Sequence, residues 1–162
     1  MTEQARANGA GTLAEKIVRA IGGDAVRKQT LVLPLMLVLA LSAPPEPAAQ
    51  DAPVPAIKSL RLDPAGKDYL PLLRGPPDSV TMRSGLVVLA PGKSVGRHST
   101  QKNEEIVIVL EGRGEMRFFN GHPPVLLEPG MAAYGPPRTE HDVINTGDAP
   151  LRYVFVVAKA LD

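Results

Sequence analysis

Short apolar runs separated by turn dipeptides fill the chain from residue 79 onward. The turn pairs include Asn120-Gly121, a strong short signal for a hairpin. Many short strands, regular turns and no convincing helix predict an all-β barrel or sandwich. The predicted strands are 79–89, 105–110, 115–119, 124–127, 131–134, 141–145 and 151–158.

Two of these strands are apolar on both faces. Residues 106–110 read Ile-Val-Ile-Val-Leu and residues 154–157 read Val-Phe-Val-Val. A barrel strand needs only its inner face apolar, so the outer faces of these strands must be covered. We expect a second copy of the chain to cover them in a homodimer. The alternative is an extra strand formed by residues 60–73 of the same chain.

The first 52 residues differ from the rest of the chain. Thr12 and Glu15 form a capping-box pattern that predicts a short amphipathic helix ending at Gly22-Gly23. Residues 26–52 then follow the pattern of a secretion signal: basic Arg27-Lys28, an apolar run over 31–41 and an Ala/Pro-rich linker. The predicted regions are therefore an extra N-terminal segment (1–25), a signal peptide with its cleavage and linker region (26–52), and a β domain (53–162).

Two accounts of this end are open. Translation begins near Val26, which makes 1–25 a mis-called start, or the helix precedes an uncleaved anchor. We favour the first because a signal peptide lies at the terminus, and because the apolar run is shorter than the roughly 20 residues that span a bilayer. A core strand or helix over 31–41 fits its uniform apolarity less well. The favoured account predicts a periplasmic or secreted protein with no stable membrane anchor after cleavage.

Composition excludes several classes of site. The chain has 18 basic and 17 acidic residues and 4% aromatic residues, so nothing favours nucleic acid as a partner. It has no cysteine, so disulfides and thiolate metal sites are impossible. A metal would have to be held by nitrogen and oxygen ligands.

Two motifs contain the residues best suited to chemistry. The first places its residues at Gly92, His98, Glu105 and Gly112, and the second at Gly130, Pro136, His141 and Asn145. Their pattern resembles the two signature motifs of the cupin family, and the resemblance implies a small single-domain jelly-roll barrel of the conserved-barrel (cupin 2) type. It also implies a divalent metal held by His98, Glu105 and His141 on neighbouring strands.

The chain departs from the family pattern at two positions. Thr100 stands where the family usually has a second histidine, and Arg138 stands where it usually has a glycine. A three-ligand site resembles the facial triad of non-haem iron enzymes, and Fe, Mn, Ni, Co and Zn all suit its donors. We expect weaker binding than at four-ligand sites, with Thr100 as a further candidate contact to the metal or to its water.

Other polar residues are weaker candidates. Arg83 and Tyr134 lie in strands that line the predicted barrel, and Arg83 is suited to a bidentate contact with a substrate carboxylate. The competing interpretation of Arg83 is an outward-facing strand residue. We expect Glu104 to face away from the metal and His122 to be an exposed turn residue.

The first functional hypothesis is a metal-dependent enzyme, dioxygenase-like, acting on a small organic molecule. The alternative is a non-catalytic binding or sensing protein for a small molecule, with a structural metal or none. A metal-free barrel in which the histidines are only hydrogen-bonded polar residues is the simplest form of that alternative. The fold does not choose between these functions.

Overall fold

The computed structural model describes residues 13–21 and 54–160. The predicted short helix and the all-β class of the domain are confirmed, and all the predicted strands are present as β2 to β8. The elements are α1 (Leu13–Ile21), β1 (Tyr69–Arg74), β2 (Arg83–Leu89), β3 (Asn103–Glu111), β4 (Gly114–Phe118), β5 (Val125–Leu127), β6 (Ala132–Gly135), β7 (His141–Asn145) and β8 (Leu151–Lys159).

The strands form two antiparallel sheets whose apolar faces share one core. The first sheet has the order β1-β2-β8-β3-β6 and the second has the order β5-β4-β7. Isolated bridges pair Ser94 with Ile144 and His98 with His141, so the chain before β3 lengthens the second sheet beyond β7. Buried side chains from both sheets form the core, including Val107, Tyr153 and Phe155 from the first and Met116 and Val143 from the second.

The first sheet keeps an apolar stripe on its outer face. Ile106 and Ile108 are 37% and 39% exposed, whereas Val107 between them is fully buried. The segment 60–73 supplies β1, but β1 pairs beside β2 at the edge of the sheet. It therefore extends the sheet and does not lie across β3. Homodimerisation through this face stays a prediction.

Helix α1 packs against the barrel at β1 and β2. Ile17 is buried and belongs to the barrel core cluster, and Lys16 pairs with Asp68 at 3.6 Å. Within the described ranges, no helix is long and apolar enough to cross a membrane. The predicted signal peptide and cleavage region fall in residues 22–53, which lie outside the described residues.

Asn145 joins the end of β7 to the chain around it. Its Nδ2 donates to the carbonyls of Leu89 and Ala149, both at 2.8 Å, and its Oδ1 accepts from the amide of Gly147 at 2.9 Å. The residue is buried, so each of these bonds satisfies a group that water cannot reach. The closing residue of the second motif therefore holds the barrel in shape.

Candidate metal centre

The backbone places His98 and His141 side by side. The amide of each residue donates to the carbonyl of the other at 2.9 Å, which makes them a directly opposed antiparallel pair. Directly opposed residues project from the same face of a sheet. Both imidazoles therefore enter the barrel together, with ring centroids 4.5 Å apart.

Glu105 reaches the same point from the opposite sheet. In β3 it alternates with the exposed Ile106, so its side chain faces inward. Its Oε2 lies 2.9 Å from Nε2 of His141 and 4.0 Å from Nε2 of His98. All three side chains are buried, and their potential ligand atoms lie within 4.8 Å of one another. Two atoms bound to one ion at about 2.1 Å can be up to about 4.2 Å apart, so a small adjustment would fit them to a metal.

Hydrogen bonds fix which nitrogen of each histidine faces the centre. Nδ1 of His98 lies 2.8 Å from the Gly96 carbonyl, and Nδ1 of His141 lies 3.0 Å from the Thr139 carbonyl. A carbonyl only accepts, so each Nδ1 carries the proton and donates it. In the neutral rings, each Nε2 then presents a lone pair to the centre, which is the arrangement of a metal-binding histidine.

Nε2 of His98 provides the test of fit for a metal. It is buried and has no hydrogen-bond partner in the part of the chain that the structure describes. Leaving a buried polar atom unsatisfied costs about 1–3 kcal/mol, so such atoms are rare. A divalent ion held also by His141 and Glu105 would satisfy this atom. The donor set fits the metal that the motifs imply.

The two histidines respond to their surroundings in opposite directions. Burial lowers the pKa of His98 below its ordinary value of 6.5. Burial also acts to lower the pKa of His141, but its hydrogen bond to Glu105 and the charge of that carboxylate outweigh this and raise the pKa above 6.5. A metal must therefore compete with protonation of His141 at a higher pH than with protonation of His98.

The two departures from the family motifs have different consequences. Thr100 is fully buried, and its hydroxyl donates to the Asn103 carbonyl at 2.7 Å, so it closes a turn before β3. A contact of Thr100 with the metal stays a prediction. Arg138 has a φ of 59°, the left-handed conformation that a glycine adopts readily. The turn forms without the glycine, at a conformational cost of about 1–2 kcal/mol.

Three of the other candidate residues lie outside the group. Tyr134 is 55% exposed, pairs with Ile106 on the outer face, and donates to Glu104 at 3.0 Å. Glu104 therefore faces away from the centre, as expected. His122 is exposed, as expected, with its ring edge against Phe118 at a centroid distance of 5.4 Å.

Sequence reasoning missed Asp142, which supports the centre indirectly. It is 9% exposed, and its Oδ1 accepts from the amide of Gly96 at 2.9 Å. Gly96 in turn orients the ring of His98. The only sequence signal was its position directly after His141, which by itself does not indicate a buried acceptor.

One region of the chain matches a known domain family. Residues 85–157 match the family model described as a cupin domain. A cupin 2 conserved barrel domain protein from Salinispora arenicola CNS-205 has a similar structure, with a TM-score of 0.53 and 26% identity, covering 65% of this chain and 91% of that one. A cupin-like protein from Thermotoga maritima MSB8 shares the fold, with a TM-score of 0.52 and 23% identity, covering 57% of this chain and 68% of that one.

One relative has a named activity. The glucose-6-phosphate isomerase of Pyrococcus abyssi (strain GE5 / Orsay) is 31% identical over 81 residues, which are 43% of this chain and 42% of the isomerase. The match thus spans less than half of that enzyme.

Four observations agree on the type of domain: both signature motifs, the two-sheet barrel, the family match and the similar barrel structures. The chain carries a cupin domain of the small cupin 2 conserved-barrel type.

Proposed function

We infer that the protein is a metal-dependent enzyme that acts on a small organic molecule. One divalent ion, drawn from Fe, Mn, Ni, Co and Zn, is held by His98, Glu105 and His141. The observation that carries this is the unpartnered Nε2 of His98, aimed at the point where the other two ligands meet. A barrel evolved only for stability would gain by satisfying or replacing that atom.

The residues around the centre have different roles: some hold the metal ligands in position and others enclose the centre. The ion would supply a Lewis acid with positions open to substrate or dioxygen, as in three-ligand sites. The carbonyls of Gly96 and Thr139 hold the two imidazoles in one tautomer and orientation. Phe118, whose ring centroid lies 6.2 Å from that of His141, provides an apolar wall beside the centre.

Metal content and turnover test this function together. The protein, purified without chelator and reconstituted separately with each of the five metals, should hold about one ion per chain. Oxygen consumption and product formation are then followed with a panel of small carboxylic acids and sugar phosphates. Glucose 6-phosphate is included because of the isomerase match. Metal-dependent oxygen uptake accompanied by a product that carries both oxygen atoms identifies a dioxygenase, and turnover without oxygen uptake identifies another metal-dependent reaction.

The second candidate is a binding or sensing protein without chemistry. The observation that favours it is Thr100, which stands where the family usually has a fourth ligand. Its hydroxyl donates a hydrogen bond to the Asn103 carbonyl. Tight binding of a panel compound, with no turnover in any metal-loaded form, would select this candidate over the enzyme.

Metal affinity should fall as the pH is lowered, and the fall should begin at a higher pH than it would for a site whose histidines have the ordinary pKa of 6.5. Glu105 raises the pKa of His141 above 6.5, and the ligating ring must be neutral. The apparent Kd should therefore be constant above that raised pKa and rise about tenfold for each pH unit below it. Calorimetric titration with Zn or Ni across pH 5.5–8.5 measures the onset. An onset below pH 6 would contradict the coupling between His141 and Glu105.

Export is part of the proposal. Mass spectrometry of native material should find a mature chain that begins between residues 43 and 53, outside the cytoplasm. Cleavage there removes α1 and with it the buried side chain of Ile17. A cytoplasmic protein that retains residues 13–21 would contradict export.

We also expect a two-fold dimer through the apolar stripe on β3. Light scattering at micromolar concentration should give a dimer mass for the purified protein. Ile108→Lys, which places a charge in the stripe, should give a monomer. Leu126→Lys is the matched control, because Leu126 is 54% exposed on β5 of the other sheet. A monomer mass for the unmodified protein would reject the dimer.

A further inference from the structure

Arg83 lies in the same cross-strand row as the proposed metal ligand Glu105. The register pairs Arg83 of β2 with Val157 of β8, and Val157 with Glu105 of β3. Directly opposed residues share a face, and both Val157 and Glu105 are buried on the inner face. Arg83 is therefore on the interior side of the sheet. Adjacent strands are about 4.8 Å apart, which puts the Cα atoms of Arg83 and Glu105 about 10 Å apart.

A cavity of about 490 Å³ opens at this end of the barrel. It borders the metal centre, because Val157 in its wall is the direct neighbour of Glu105, and Asn103 in its wall lies two residues before Glu105 on the same face of β3. Among the described residues, its lining includes three cations and no carboxylate. Its polar lining residues are Thr81, Arg83, Gln101, Lys102, Asn103 and Lys159.

The guanidinium of Arg83 is the group best suited to anchor a ligand there. It is half-buried, and no carboxylate in residues 13–21 or 54–160 forms an ion pair with it. A guanidinium presents a planar fork of donors that matches the oxygens of a carboxylate or a phosphate. A partly buried cation has lost part of its contact with water. An anion that accepts its hydrogen bonds therefore stabilises it.

We propose that this cavity binds the anionic end of a small organic anion through Arg83 and holds the rest of the molecule toward Glu105. The proposal names the substrate class of the proposed function and rests on it. The anionic group is a carboxylate or a phosphate ester, since both offer the oxygens that the guanidinium recognises. The Cα atoms of Arg83 and Glu105 are roughly 10 Å apart, so one small molecule could contact both side chains.

Binding of probe anions to isotopically labelled full-length protein tests the proposal. Butyrate, its uncharged analogue butyramide, and glucose 6-phosphate are titrated separately while the backbone amide signals of Asn103 and Val157 are followed by NMR. At least one of the two anions should shift these signals saturably, and butyramide should bind at least about tenfold more weakly than butyrate if the carboxylate is recognised. Binding of only one anion identifies the source of the charged group.

Variants locate the anchor. Arg83→Ala should weaken anion binding at least about tenfold, because a charge-assisted hydrogen bond is lost. The affinity of Arg83→Lys should lie between those of Arg83→Ala and the unmodified protein. Arg61→Ala, which removes the same charge from an exposed position before β1, should bind like the unmodified protein. An unperturbed amide spectrum outside the cavity shows that each variant is folded. Equal binding by Arg83→Ala and the unmodified protein, or no binding of either anion, overturns the proposal.

The anion site and the metal site can fail separately. The titrations are run on metal-free protein and on protein loaded with Zn, and the metal content is measured independently. Arg83-dependent anion binding in a chain that takes up no metal leaves the anion site in place and rejects the proposed function. Metal uptake without Arg83-dependent anion binding rejects the anion site alone.

Discussion

His141→Ala is expected to abolish stoichiometric metal binding, with a loss in affinity of about 100-fold or more, since removal of even indirect support for a ligand costs 10–100-fold. Removing one of three ligands leaves His98 and Glu105 to hold the ion, and two ligands do not define a site for a divalent metal in competition with water. Glu105→Ala should have the same effect. Calorimetric titration of metal-stripped protein with Zn or Ni measures both.

The matched control for this experiment is His122→Ala. His122 is an exposed histidine outside the group, so its removal tests for adventitious surface binding. Glu105→Gln is the second variant, because it keeps the shape of the buried side chain while removing its charge. Retention of one tightly bound ion by folded His141→Ala would show that the three residues are not the ligands.

Gly112→Ala is expected to destabilise the barrel by about 2–5 kcal/mol, the sum of a left-handed backbone cost and a steric overlap. Gly112 has a φ of 81°, and an added Cβ would lie 2.3 Å from the Pro150 carbonyl oxygen and 2.7 Å from Cα of Leu151. Both contacts are with backbone, so no side-chain rotation relieves them. Urea unfolding measured by circular dichroism gives the change in the free energy of unfolding.

Gly130→Ala separates the two contributions. Gly130 has nearly the same φ, 83°, but an added Cβ there meets nothing within 4 Å. Its substitution should cost only the backbone term, about 1–2 kcal/mol. Equal losses of unfolding free energy for Gly112→Ala and Gly130→Ala would contradict this explanation. They would mean that the close approach of Pro150 and Leu151 is not the reason for a glycine at position 112.

Much of the fold could be predicted because local signals marked the strand ends. β7 has the predicted bounds, 141–145. β2 begins at Arg83 and not at residue 79, because residues 75–82 close on themselves, with the Gly75 amide donating to the Met82 carbonyl at 3.1 Å. β1 was foreseen only as an alternative within 60–73. Pro71 lowers its strand signal, although a proline is compatible with the edge position that β1 occupies.

The site residues also fall into two groups: those that local sequence spacing predicts, and those whose position depends on how distant strands pair. Motif spacing identified His98, Glu105 and His141, because a ligand set must recur at fixed positions in this barrel. The faces of Arg83 and Tyr134 could not be predicted, since they depend on register, and a shift by one residue exchanges the two faces of a strand. Pairing with Val157 puts Arg83 on the interior side, and pairing with Ile106 puts Tyr134 on the outside.

Anomalous X-ray scattering from crystals of the Zn-reconstituted protein tests the central claim most directly. The account predicts one strong peak per chain, with Nε2 of His98 and Nε2 of His141 at about 2.0–2.1 Å from the ion and a carboxylate oxygen of Glu105 at about 2.0–2.2 Å. A peak at another place, or no peak while Nε2 of His98 stays unbound, would contradict it.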